Sequence, residues 1–241
     1  MKSIRSLAAC LLTAALLGAP SLAEAQDAQP DLARGKQLFS LCAQCHGDAA
    51  EGKQNIGAPA IAGMPAWYVK EQLRKFSVGL RGKHFDDLEG MRMRPMSLWL
   101  TAKRHASGEL DKERAAFVAE GRPEKLDPNI ENVAAFVASL PATNPAAALT
   151  GANVASGEAS WALCGSCHGM QGEGSEPQSA PPLAGQSDWY LLKSLQKFKA
   201  MTRGYDGAND SSGAVMAGMS NVLADEQAMK DVIAYIATLK K

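Results

Sequence analysis

Apolar side chains recur three and four residues apart in several stretches of this chain, the spacing of helices that bury one face. Residues 67–76 and 189–198 share the pattern, each opening on Trp-Tyr and closing on Lys-Phe. Residues 130–140 and 227–239 carry it again, with Asp225 and Glu226 placed to favour the start of the last helix. Two shorter helices are expected over 32–41 and 156–163. The segments 47–63 and 169–185 are rich in Gly and Pro and read as loops. No stretch alternates apolar and polar residues well enough for a sheet, so the expected fold class is all-α.

These elements come in two sets. A shift of 122 residues superimposes Gly35 on Gly157, Phe39 on Trp161, Leu41 on Leu163, Ala58-Pro59 on Ala180-Pro181 and Trp67-Tyr68 on Trp189-Tyr190. One residue later in register, Met93, Met96 and Leu100 fall on Met216, Met219 and Leu223. The closing helices match at a shift of 99, so the first copy carries an insertion near 101–125. Two copies of one unit imply two domains, expected at 26–143 and 144–241. Pro141 and Pro145 stop the preceding helix and favour an extended linker between them. Gly35 with Phe39 and Phe136, and Gly157 with Trp161 and Tyr235, are expected where the first and last helices of each copy cross.

Residues 1–25 read as an export signal to the periplasm. Lys2 and Arg5 precede an apolar run over 7–17, and Ala23-Glu24-Ala25 is a cleavage site, so the mature chain is expected to begin at Gln26. The apolar run is short of the ~20 residues a membrane span needs, and Cys10 lies within it. No transmembrane segment is expected in the mature chain.

Export changes the meaning of the other cysteines. They form two clusters, Cys42-Ala-Gln-Cys45-His46 and Cys164-Gly-Ser-Cys167-His168. Four cysteines in an exported chain would ordinarily suggest two disulfides. A lone Cys-x-x-Cys pair could also be a redox dithiol or half of a zinc site. The histidine that follows each pair decides: two thiols can add across the vinyl groups of a haem while the adjacent imidazole reaches its iron. Two covalent haem c groups are therefore expected, with His46 and His168 as axial ligands. For the opposite side of each iron the repeat offers Met93 or Met96 and Met216 or Met219. A soft thioether favours ferrous iron. His84 and His105 have no counterpart in the second copy and read as surface residues, His84 being an alternative ligand.

Charge adds little. Residues 26–143 carry 16 basic and 15 acidic side chains, and residues 144–241 carry 7 and 9. Nothing in this balance points to nucleic acid.

The order of features resembles class I cytochrome c: Gly and an aromatic before Cys-x-x-Cys-His, a Pro loop, an aromatic-led helix, a Met and an amphipathic last helix. Two such units in tandem, with the Pro181-Pro-Leu-Ala-Gly and Trp189-Tyr-Leu-Leu-Lys stretches, are similar to the dihaem cytochrome c₄ family. The resemblance implies two tandem class I cytochrome c domains, each wrapped round one covalently bound haem. It selects Met93 and Met216, which precede Leu100 and Leu223 by seven residues, over Met96 and Met219. It implies that the carbonyls of Pro59 and Pro181 accept the ring N–H of the axial histidines. It also suggests propionate contacts for Trp67, Tyr68, Trp189 and Tyr190, for which helix packing is the other reading. The function implied is electron carriage, without catalysis, between a membrane cytochrome complex or other membrane donor and a terminal oxidase or reductase. The alternatives are a cytochrome subunit of a larger dehydrogenase or oxidase complex and a two-haem peroxidase.

Overall fold

The computed structural model describes residues 29–101, 106–108, 112 and 127–239. The expected export signal, Cys10, His105 and most of the insertion lie outside the described residues. Eight helices are present among them: α1 (Leu32–His46), α2 (Ala66–Ser77), α3 (Leu88–Leu100), α4 (Pro128–Ser139), α5 (Val154–His168), α6 (Asp188–Lys199), α7 (Ser211–Ser220) and α8 (Glu226–Ile236). The first four belong to one copy of the repeat and the last four to the other. Beta pairing among the described residues is limited to one isolated bridge per copy, Lys53 with Ala58 and Ser175 with Ala180.

The sequence pattern misplaced the ends of α1 and α5. Both helices run through the whole Cys-x-x-Cys-His motif instead of stopping before it. Asp31 starts α1 by accepting the Arg34 N–H, and Asn153 starts α5 by accepting from Ala155 and Ser156. Nothing in either motif breaks a helix. Termination waits for Gly47 and Gly169, whose φ values of 86° and 80° suit glycine. The two cysteines of each pair are therefore one turn apart on a helical face, and the histidine occupies the last helical position.

Helices α3 and α7 were not expected. The segments around the paired methionines are helical, not extended or irregular. Their composition hides them, since Gly, Ser and Pro95 sit among the apolar residues. Their starts were legible: Asp87 accepts the Gly90 N–H at 3.1 Å and Asp210 accepts the Gly213 N–H at 3.0 Å, and the two aspartates match at a shift of 123.

Each copy is locked where its first helix crosses its last. A Cβ at Gly35 would overlap the Asn132 carbonyl oxygen, and one at Gly157 would overlap that of Asp231. Phe39 packs on Phe136 with ring centroids 5.4 Å apart, and Trp161 on Tyr235 at 6.1 Å. The crossings read from the repeat are thus borne out. Leu38, Leu73, Ile130 and Val133 fill one core, and Leu191, Met229, Val232 and Ile233 the other. The segment after Pro141 lacks regular structure and is fastened to the second copy, where Ala148 and Leu149 donate to one carboxylate oxygen of Asp188 at 2.6 and 2.7 Å.

The copies meet through reciprocal contacts. Arg81 donates to the Tyr190 hydroxyl at 3.3 Å, and Arg203 to the Tyr68 hydroxyl at 3.4 Å. Lys75 pairs with Asp210 at 2.7 Å, and Lys197 pairs with Asp87. In both cases the partners exchange under the repeat, as an approximate twofold axis requires.

Candidate haem-binding cavities

One cavity of about 180 Å³ opens in the first copy and one of about 350 Å³ in the second. The repeat brings equivalent residues to each. Cys42, Cys45, His46, Pro59, Met93 and Met96 line the first. Cys164, Cys167, His168, Pro181, Met216 and Met219 line the second. The cysteine pairs, their histidines, the two loop prolines and the paired methionines expected round the haems therefore all reach one of the two cavities.

The histidines are fixed in the same way in both. Nδ1 of His46 lies 2.8 Å from the Pro59 carbonyl oxygen, and Nδ1 of His168 lies 2.8 Å from that of Pro181. A carbonyl only accepts, so Nδ1 carries the proton and Nε2 keeps its lone pair for a metal. Burial lowers both imidazole pKa values, against a smaller upward push from the carbonyl bond. The rings are held neutral, the form that coordinates iron. The loops beyond them are tied back, as Gly52 donates to the His46 carbonyl and Gly174 to that of His168, both at 2.7 Å.

The four thiols are free. Burial pushes Cys42 up to about 11 and raises Cys164 as well. Both are held in the thiol form. No group of three or more His, Cys, Asp or Glu among the described residues is placed to hold a metal ion. Both methionine pairs lie on helices. Residues three apart on a helix share a face, so both Met of each pair line the cavity and local geometry does not choose between them.

At their inner edges the cavities share Tyr68, Gln72, Arg81, Tyr190 and Arg203. The guanidinium of Arg81 lies 4.5 Å over Phe76, and that of Arg203 lies 4.4 Å over Phe198. Burial raises the Tyr190 pKa, but Arg81 and Arg203 outweigh it and hold the phenol below its usual range. Nε of Arg81 is buried without a hydrogen-bond partner, on a side chain that lines both cavities. That orphan suits an anionic group such as a haem propionate. These arginines went unnoticed in the sequence, although Arg81-Gly82 falls on Arg203-Gly204 at the same shift as the cysteines. Tyr68 and Tyr190 reach the cavities, whereas Trp67 and Trp189 do not line them and instead stack edge-on against their tyrosines. His84 lines neither cavity. It is half-buried between Phe85 and Tyr205 of the other copy, not a plain surface residue.

The comparisons with known proteins agree with this geometry. The cytochrome c family model matches residues 32–141 and 154–240. A thiosulfate dehydrogenase electron acceptor from Stutzerimonas stutzeri is 32% identical over 203 residues, covering 83% of this chain and 82% of that protein. Cytochrome c4 from Azotobacter vinelandii is 38% identical over 90 residues, a match to 36% of this chain and only 41% of that protein. Among solved structures, thiosulfate dehydrogenase (TsdBA) from Marichromatium purpuratum aligns with a TM-score of 0.59 and 26% identity, covering 86% of this chain and 40% of that one. Reduced cytochrome c4 from Pseudomonas stutzeri has the same fold, with a TM-score of 0.59 at 22% identity over 87% of this chain and 99% of that one.

Proposed function

The chain belongs to the cytochrome c family, and from that premise we propose that each cavity holds one covalent haem c. It is a dihaem-type electron-transfer protein, not an enzyme. The observation that carries the haem reading is the repeated set of two thiols, a neutral histidine bonded to a proline carbonyl and a methionine pair round one apolar cavity. A haem held there supplies an iron that cycles between ferric and ferrous and so stores one electron per site.

The residues of the chain divide the work. Cys42 and Cys45, and Cys164 and Cys167, form the thioether anchors. Pro59 and Pro181 orient His46 and His168 and keep the protons on Nδ1. Met93 and Met216 are our choice as the second axial ligands, on their register with Leu100 and Leu223, with Met96 and Met219 packing beside them. Methionine ligation at both sites would close each iron to substrate, which argues against a peroxidase. Arg81 and Arg203 offer donors to propionates at the domain boundary. The sharing of inner-edge residues by both cavities favours rapid exchange of an electron between the sites.

We place the protein in the periplasm, exported by residues 1–25 and cleaved after Ala25. No helix among the described residues is long and apolar enough to cross a membrane. The electron source we favour is a thiosulfate dehydrogenase. The thiosulfate dehydrogenase electron acceptor matches along most of both chains, unlike the cytochrome c4 matched over 90 residues. A terminal oxidase or reductase is then the acceptor.

Near-infrared magnetic circular dichroism of the oxidised, exported protein tests the ligand assignment. Two His/Met signatures are expected. One high-spin iron with an open position would return the peroxidase to favour.

A further inference from the structure

The two cavities carry the same anchors but not the same charge. Five cations and two carboxylates line the first, against three cations and two carboxylates in the second. Arg81 and Arg203 are common to both, so the difference comes from three repeat-related substitutions. Lys193 at the first cavity corresponds to Glu71 at the second, Arg92 to Val215, and Glu89 to Ser212.

The contacts show how these groups are held. At the first cavity, Lys197 pairs with Asp87 and with Glu89 at 2.6 Å, and Lys193 also pairs with Glu89. The cluster has two cations and two anions. At the second, Lys75 lies 2.7 Å from both Glu71 and Asp210, while Ser212 adds a hydroxyl and no charge. Here one lysine is shared by two carboxylates, with Arg203 adding its charge beside Asp210. Lys75, Glu71 and Asp210 are each at most 9% exposed, so solvent screens them weakly. Arg92 sits on the rim of the first cavity and donates to the Ile56 carbonyl at 3.2 Å.

An added electron is stabilised by positive surroundings and opposed by negative ones. We propose that Lys193 and Arg92 against Glu71 and Val215 set the order of the two sites, so that the haem in the first domain holds the electron in preference to the haem in the second. One electron then leaves the second iron as it goes from ferrous to ferric and reduces the first iron from ferric to ferrous. Internal flow runs from second domain to first. The second domain takes electrons from the donor, and the first passes them to the acceptor. Glu71, Arg92 and Lys193 are positioning residues here, acting through the field at the iron.

This rests on the reading that both cavities hold haem, which intact mass of the exported protein settles first. The test then follows haem methyl resonances by NMR through stepwise reduction of the two-haem protein. Each haem is assigned by its nuclear Overhauser contacts, to Val69 and Leu73 in one cavity and to Leu191 and Leu195 in the other. The first-domain resonances are expected to lose most of their paramagnetic shift during uptake of the first electron, with a preference of roughly tenfold or more. Glu71→Gln should raise the second site's share of that electron. Arg92→Val, a change at an exposed position, should lower the first site's share. In a protein that carries both haems, first reduction of the second-domain haem would overturn the proposal. So would shares unchanged in both variants.

Discussion

The two copies of the repeat share the bond that orients each axial histidine, 2.8 Å in both, and differ in the charges and exposed side chains farther out. Both present Cys-x-x-Cys-His on the last turns of a glycine-stopped helix, and both pack that helix on the closing helix through a glycine with no room for a Cβ. Around this shared frame the first copy has the smaller cavity, the more cationic lining and the insertion. Its α3 exposes Leu88, Met91 and Trp99, where α7 and its C-terminal flank have Ser211, Ala214 and Val222. Duplication leaves little freedom to the atoms that anchor and ligate a cofactor. It leaves the field around them free to diverge, and divergence of the field is what makes two similar redox sites unequal.

The comparison breaks most completely if one copy loses its anchors. A Cys42→Ala, Cys45→Ala double variant should retain one covalent haem instead of two, and Cys164→Ala, Cys167→Ala should do the same from the other side. Intact mass and the intensity of the haem absorption band read both. Equal haem content in variant and parent would mean that the thiols anchor nothing.

Axial ligation comes next. Met216→Ala should abolish the methionine-to-iron charge-transfer band of one haem and lower its potential, because the soft ligand that favours ferrous iron is gone. Met219→Ala should leave the band and cost packing, about 1–3 kcal/mol. Met93→Ala and Met96→Ala should repeat the contrast in the first copy. A band lost from the Met219 variant instead would move both assignments three residues on.

The helix crossings should respond alike. Gly35→Ala and Gly157→Ala each place a methyl against a carbonyl of the closing helix and should destabilise their own domain by about 1–3 kcal/mol. Thermal unfolding measures this, and a change under 0.5 kcal/mol in either would show that the helices separate at little cost.

The smallest effect separates the two interface clusters by pH. Burial raises the Glu89 pKa, but its bonds to Lys193 and Lys197 prevail and hold it at about 2, below the usual 4.5. A depressed carboxylate contributes stability that is full above its unfolded pKa and lost as pH falls through the folded one. Contact between the domains should therefore weaken between pH 4.5 and about 2, and Glu89→Gln should remove that component. Ser212→Ala, at the equivalent position, should leave the acid profile as it is. Acid titration of interdomain hydrogen exchange compares them.

Much of this was legible in the sequence because a repeat reports each feature twice. The anchors, both histidines, the prolines and the crossing glycines all recur at one shift, and all sit where that recurrence placed them. Helices α3 and α7 were hidden because Pro95 and several small residues dilute their apolar spacing. The interface between the domains was hidden for another reason. Arg81, Tyr190, Lys75 and Asp210 are ordinary polar residues one at a time, and only the fold brings them into reciprocal pairs. The sharing of inner-edge residues by both cavities follows from those pairs and from no single motif.

The central claim is that this chain carries two covalent haems, one per domain. Mass spectrometry of the protein recovered from the periplasm, after denaturation and treatment with a reductant, tests it most directly. The expected result is a single species with the mass of the chain from Gln26 plus two haem groups. A chain that gains mass from no haem and shows four alkylatable thiols after reduction would contradict it.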